Sequence, residues 1–221
     1  WAGRNVVKRT EAFPNLRKRI PATPRPAEGG FYIEHFDVDE HQSSRTTLHG
    51  GLDYVPPGSY IALKKAGRGN ASWDTLWMSD TLMERQTNYD AVREGRGDVL
   101  IGGLGLGMVA LALCQKPEVR SVTVLEIEPR VVALVGPYLR HPKLRILVAD
   151  VNAPPLRGRG FDYIYLDIWP NICSDNWPEM KSLLATYRRF LRPGGHADGW
   201  MKEYIQEEHC RSAREERNWY A

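Results

Sequence analysis

Between residues 98 and 107 the chain reads Asp-Val-Leu-Ile-Gly-Gly-Leu-Gly-Leu-Gly, a stretch that few folds accommodate. Val99, Leu100 and Ile101 form an apolar run that stops at four glycines within six positions, and Met108 to Cys114 is again apolar and rich in Ala and Leu. The pattern predicts buried strand, tight turn and helix. Such a turn needs glycine where the backbone takes a positive φ and where a Cβ would hold a ligand away from the main chain. A flat, polar cofactor laid across the strand end is the usual occupant. Gly102, Gly103, Gly105 and Gly107 are therefore candidate cofactor-binding residues.

Downstream, three more apolar runs each end in an acid. Ser121 to Glu126 leads into Ile127-Glu128-Pro129 and an apolar helix, Val131 to Leu139; Leu144 to Ala149 leads to Asp150; Asp162 to Leu166 leads to Asp167-Ile168-Trp169-Pro170. Each delivers a carboxylate to the carboxyl edge of a parallel sheet, where ligands bind in open α/β folds. Glu126, about twenty residues beyond the glycine turn, is placed to accept hydrogen bonds from two ribose hydroxyls. Gly105-x-Gly107-x-x-Ala110 also satisfies the relaxed dinucleotide fingerprint, so a nicotinamide enzyme stays open at this point. A further helix, Pro178 to Leu191, ends in Arg192-Pro193-Gly194-Gly195, and a weak strand, His196 to Met201, follows.

Upstream, residues 1–30 hold seven Lys/Arg against two Glu, together with four prolines, whereas the remainder has 23 basic and 25 acidic residues. The net charge of +3 thus belongs to a basic, Pro-rich arm, expected to be extended and irregular. Residues 31–87 carry strand-like pieces at Phe31 to Val38, Tyr60 to Leu63 and Thr75 to Met78, broken by Pro56-Pro57-Gly58 and Gly67-Arg68-Gly69-Asn70, and predict a small antiparallel sheet. Met78 to Asn88 reads as a polar loop before a short helix capped by Thr87 or Asn88 and ending near Glu94. Folded over the site mouth, this loop would bring Asp80, Glu84 and Gln86 to the acceptor. Three scattered cysteines without a CxxC pair suggest neither a disulfide framework nor a zinc site and fit a reducing, cytoplasmic setting. His35, His41 and His49 are too irregularly spaced to argue for a metal, and none is expected. No run approaches a membrane span or a secretory signal.

With these residues in view, the chain resembles class I S-adenosylmethionine-dependent methyltransferases, and within them the spermidine synthase-like branch, over about residues 75 to 201. The resemblance rests on the Gly102 to Gly107 turn, Val-Leu-Glu-Ile-Glu-Pro at 124 to 129, Val-Ala-Asp at 148 to 150, Phe-Asp-Tyr-Ile-Tyr-Leu-Asp at 161 to 167 and Leu-Arg-Pro-Gly-Gly at 191 to 195, in that order. It implies that the glycine turn backs the methionine moiety and that Glu126, with Ile127 beside it, holds the ribose. Asp150 then meets the adenine amino group beside the Val151 amide, and Asp167 faces the reacting centre. The chemistry agrees: adenine and ribose need acceptors, and a sulfonium cation is favoured near carboxylates. The cofactor has no phosphate, and the turn has no Lys or Arg. A nicotinamide would call for a pyrophosphate at the helix N-terminus and leaves Asp150 and the Arg-Pro-Gly-Gly turn unexplained.

Two departures set the chain apart from the polyamine enzymes of that branch. Gly105 stands where they carry an acid in the turn, and Ile168-Trp169-Pro170 replaces their Ser-Ser-Asp-Pro-like run. An acid would repel the carboxylate of the intact cofactor, so glycine suits S-adenosylmethionine better than its decarboxylated form. The expected protein is an α/β, Rossmann-like, mostly parallel sheet with helices on both faces in residues 88–221, preceded by the small β region. Lys202 to Ala221 read as an exposed helix with i,i+4 ion pairs, so the usual C-terminal hairpin is expected to be missing. The sheet edge left bare would be covered by the N-terminal sheet or by a second subunit.

The function expected is methyl transfer to a small-molecule acceptor that the sequence does not name. Aminopropyl transfer is the near neighbour, and a non-catalytic S-adenosylmethionine-binding protein is the contrasting class. Asp167 is the candidate catalytic residue; Trp169 would wall the acceptor pocket, and Asp175, Asp80 and Glu84 would make it acidic, suiting an amine. An Asn-Pro-Pro-Tyr type motif is absent, which disfavours nucleic acid.

Overall fold

A computed structural model describes residues 11–41, 55–68, 73–158 and 160–219. Of the features read from the sequence, Arg4, Lys8, Arg9, His49, Gly69, Asn70, Tyr220 and Ala221 lie outside them. Three antiparallel strands come first: β1 (Glu28–Val38), β2 (Gly58–Arg68) and β3 (Thr75–Ser79), in the order β1-β2-β3. The described part of the basic arm is strapped onto this sheet. Phe13, Leu16 and Ile20 are buried, Arg17 pairs with Asp37 and Arg25 with Asp74, and the Ile33 amide donates to Thr23 Oγ1.

Two short helices, α1 (Leu82–Thr87) and α2 (Tyr89–Glu94), lead to β4 (Gly97–Gly102), the glycine turn and α3 (Met108–Gln115). The chain continues through β5 (Val119–Glu126), α4 (Pro129–Val135), β6 (Leu144–Val148), β7 (Phe161–Leu166), α5 (Trp177–Tyr187), β8 (Leu191–Gly199) and α6 (Lys202–Trp219). All five strands from β4 to β8 are parallel, in the order β6-β5-β4-β7-β8. Burial on both faces makes Val99, Leu100 and Ile101 a continuous apolar run. One face (Val99, Ile101, Val122, Val124, Tyr163, Tyr165) packs with α3, α4 and the small sheet; the other (Leu100, Leu125, Ile164, Leu166) packs with α5 and, through Ile205, α6. This is the layered α/β architecture expected.

Several boundaries differ for local reasons. Residues 82–87, read as loop, are helical; Asn88 closes α1, its backbone N–H donating to the Gln86 and Glu84 carbonyls, and stands at the N-cap position of α2 without a side-chain cap bond. Its side chain accepts from the Tyr165 hydroxyl at 2.8 Å, a tertiary bond, and donates to the Glu84 carbonyl of α1 at 3.1 Å. The helix expected to run to Leu139 stops at Val135, before a 3-10 turn that contains Pro137. The helix expected to reach Leu191 ends at Tyr187, and β8 begins at Leu191, so the Arg-Pro-Gly-Gly turn is an irregular start of this strand, with a register shift against β7. β8 is followed by α6 in place of a hairpin. The small sheet does not take up the β8 edge: β1 packs against α4, at the other end of the parallel sheet.

Candidate functional site

The ladder continues one residue past several strand ends, which brings them level. Gly103 N donates to the Leu125 carbonyl, Asp167 N to Gly102, Ala149 N to Glu126 and Trp200 N to Leu166, all at 2.8 to 2.9 Å. Above this edge opens a cavity of about 370 Å³. Its floor is the glycine turn with Glu126, Asp150 and Asp167; β3 supplies one wall through Thr75, Leu76, Trp77 and Met78.

Gly103 has φ 95°, and a Cβ there would stand 2.0 Å from the Asp167 carbonyl oxygen; Gly105 has φ 50°, and a Cβ would stand 2.0 Å from Met78 Sδ. Both positions therefore demand glycine for conformation and for space. The Leu106 amide donates to the same Met78 sulfur at 3.1 Å, tying the small sheet to the turn.

Glu126 is 5% exposed, and its carboxylate is locked by two main-chain donors, Leu104 N at 2.8 Å and Glu128 N at 2.9 Å. Each oxygen retains acceptor capacity for a ligand hydroxyl. Asp150 Oδ1 accepts from the Asn152 amide at 2.8 Å and from its side chain at 3.1 Å, an Asx-type turn that aims the carboxylate. Asp167 contrasts with both. Among the described residues its carboxyl has no hydrogen-bonding partner; burial first, and the neighbouring Glu84 carboxylate second, hold its pKa well above the usual carboxylate range.

Of the residues singled out from the sequence, Gly103, Gly105, Glu126, Ile127, Asp150, Val151, Asp167, Glu84 and Trp169 all line this cavity. Gly102 and Gly107 flank it without lining it. Asp80, Gln86 and Asp175 do not reach it. Asp80 is buried beneath the small sheet, where it accepts from the Ile61 amide and pairs with Arg85 at 2.9 Å. Asp175 is exposed on the 3-10 turn before α5. Trp169 lines the wall with its indole N–H directed away to Glu179, at 2.8 Å.

Sequence reasoning missed Trp77, Met78, Tyr165 and Trp200. Tyr165 was within reach, because strand alternation places it on the face of Asp167 two residues on. Trp200 was not: it enters through the β8 pairing, and its indole N–H is buried with no partner among the described residues.

Residues 99–195 match a family model described as a methyltransferase domain. A comparison with curated proteins finds no match. Among solved structures, the chain is similar to an S-adenosylmethionine-dependent methyltransferase from Mesorhizobium loti, with 20% identity, a TM-score of 0.41 and 50% of this chain covering 51% of that one. It is similar also to N-methyltransferase NodS from Bradyrhizobium japonicum, with 19% identity, a TM-score of 0.39 and 51% covering 62%. A third is a complex of DhpI with SAM and HEP, with 22% identity, a TM-score of 0.40 and 51% covering 50%. The chain spans about half the length of the first solved structures that it matches. Residues 99–195, from β4 to the start of β8, are thus the part of the chain that is similar to a methyltransferase domain.

Proposed function

We propose that the cavity binds S-adenosylmethionine across the glycine turn and passes its methyl group to a small-molecule acceptor held against Asp167. In this reading Gly103 and Gly105 let the methionine part lie close to the main chain, and Glu126 takes the ribose hydroxyls. Asp150, with the Val151 amide, takes the adenine edge. The observation that carries the reading is the convergence of Gly103, Gly105, Glu126, Asp150 and Asp167 on one cavity at the carboxyl edge of the sheet. Methyl transfer runs in line from sulfur to nucleophile, so the protein's part is alignment and exclusion of water.

The acceptor side favours an amine. Asp167 and Glu84 share the cavity, and the Glu84 charge that disfavours an ionised Asp167 favours a cation beside it. A neutral amine nucleophile must also lose a proton, which ionised Asp167 is placed to take. The same pair keeps spermidine synthase-like aminopropyl transfer as a second reading, although glycine at position 105 removes the acid that would hold a decarboxylated cofactor. A reducing, cytoplasmic setting accords with the free thiols of Cys114, Cys173 and Cys210. In the described residues no helix is long and apolar enough to cross a membrane.

Incubation with S-adenosylmethionine and a panel of amines tests the reaction. Release of S-adenosylhomocysteine supports methyl transfer and methylthioadenosine supports the second reading. Binding of the cofactor without either product, across the panel, argues for a binding protein.

A further inference from the structure

Outside the cavity, Glu94, His196 and Asp198 each bring one ligand-type atom to within 4.8 Å of the other two. They meet because α2 ends at Glu94 beside the β7–β8 pair, in which Tyr163 stands opposite His196 and Tyr165 opposite Asp198. Residues two apart on a strand share a face, so His196 and Asp198 project together.

A second feature points to a ligand there. Tyr163 is 2% exposed, and its hydroxyl has no hydrogen-bond partner among the described residues. Its ring stacks on that of His196, with centroids 6.1 Å apart and planes at 24°. The stacking sets this hydroxyl beside the cluster, and an orphaned polar group in such a place calls for an occupant.

We propose that Glu94, His196 and Asp198 bind a divalent transition-metal ion of the Mn²⁺ kind, with a water on the ion serving the Tyr163 hydroxyl. An imidazole with two carboxylates and no thiolate is a donor set for Mn²⁺; Mg²⁺ and Ca²⁺ prefer oxygen throughout. Asp198 Oδ1 is already oriented by the Gly199 amide at 2.9 Å, as supporting hydrogen bonds orient metal ligands. Arg93, at 3.0 Å from Glu94, and Lys202, at 2.6 Å from Asp198, supply the cations that the carboxylates hold otherwise. The ion displaces them. It fastens the β8 edge to the end of α2, next to Tyr165 and Trp200 of the cavity, and its binding does not depend on the cofactor.

The test is a titration of the full chain with Mn²⁺, followed through the electron paramagnetic resonance signal of the free ion. One ion should bind per chain. His196→Ala, a change at an exposed position, and Asp198→Asn should each weaken binding at least about tenfold, and Tyr163→Phe, which removes the partner of the bound water and no ligand, should weaken it less than either. An undiminished free-ion signal in the parent overturns the proposal, and so do titration curves for His196→Ala and Asp198→Asn that match the parent.

Discussion

The two sides of the cavity are built differently. On the side of the glycine turn, the carboxylates are already satisfied: Glu126 by two main-chain amides and Asp150 by the Asn152 turn. On the side of β3, α1 and β8, polar groups are left waiting: among the described residues the Asp167 carboxyl has no donor and the Trp200 indole N–H no acceptor. The first side is organised in advance for a ligand of fixed shape, which is how binding avoids ordering costs. The second keeps groups in an unfavourable state that a ligand relieves, a pattern concentrated at reacting centres.

The sharpest way to break this comparison is at the turn. Gly105→Val adds a β-branched side chain at a positive φ and against Met78 Sδ. Cofactor affinity should fall by at least about a hundredfold, the scale of a misplaced site, with folding retained by circular dichroism. Normal binding would move the cofactor elsewhere.

Next comes Asp167→Asn, which keeps the shape and loses the basicity. Turnover should drop about a hundredfold or more, as for loss of a general base, with cofactor affinity nearly unchanged. Folding raises the pKa of Asp167, so the folded chain keeps a proton that the unfolded chain releases. Stability therefore falls as pH rises from the ordinary carboxylate range toward the raised value. The variant should melt above the parent at neutral pH, and the difference should close under acid conditions; equal melting at both would contradict the raised pKa. In the parent, the rate should climb with pH as Asp167 loses its proton.

Glu126→Ala acts on the satisfied side. Affinity for S-adenosylmethionine should weaken by about 1.5 to 3 kcal/mol, the range for hydrogen bonds to charged groups, and the freed Leu104 and Glu128 amides should lower the melting temperature as well. The smallest effect is expected for Asp175→Ala at its exposed position: stability within about 0.5 kcal/mol, with affinity and rate unaltered. A rate change there would restore Asp175 to the acceptor side.

The satisfied side was legible in the sequence because its residues sit where a short-range pattern ends. A buried apolar run must stop, and Gly103, Glu126 and Asp150 stand at those stops, as Asp167 does on the other side, and parallel pairing then aligns them. The other side is assembled across the chain. Trp77 and Met78 arrive with the small sheet and Trp200 with β8, and no local periodicity connects them. Charge also misled. Asp80 and Glu84 look alike in a polar stretch, yet Asp80 is consumed by the Ile61 amide and Arg85 while Glu84 lines the cavity. Composition marks a carboxylate as polar and leaves open whether it faces a ligand or a main-chain donor.

Calorimetric titration of the full chain with S-adenosylmethionine, and separately with NAD, tests the central claim most directly. The account predicts one S-adenosylmethionine per chain and no saturable heat with NAD, because the turn offers glycine and carboxylates to a cation and no basic residue to a pyrophosphate. Saturable binding of NAD, with none of S-adenosylmethionine, would contradict it.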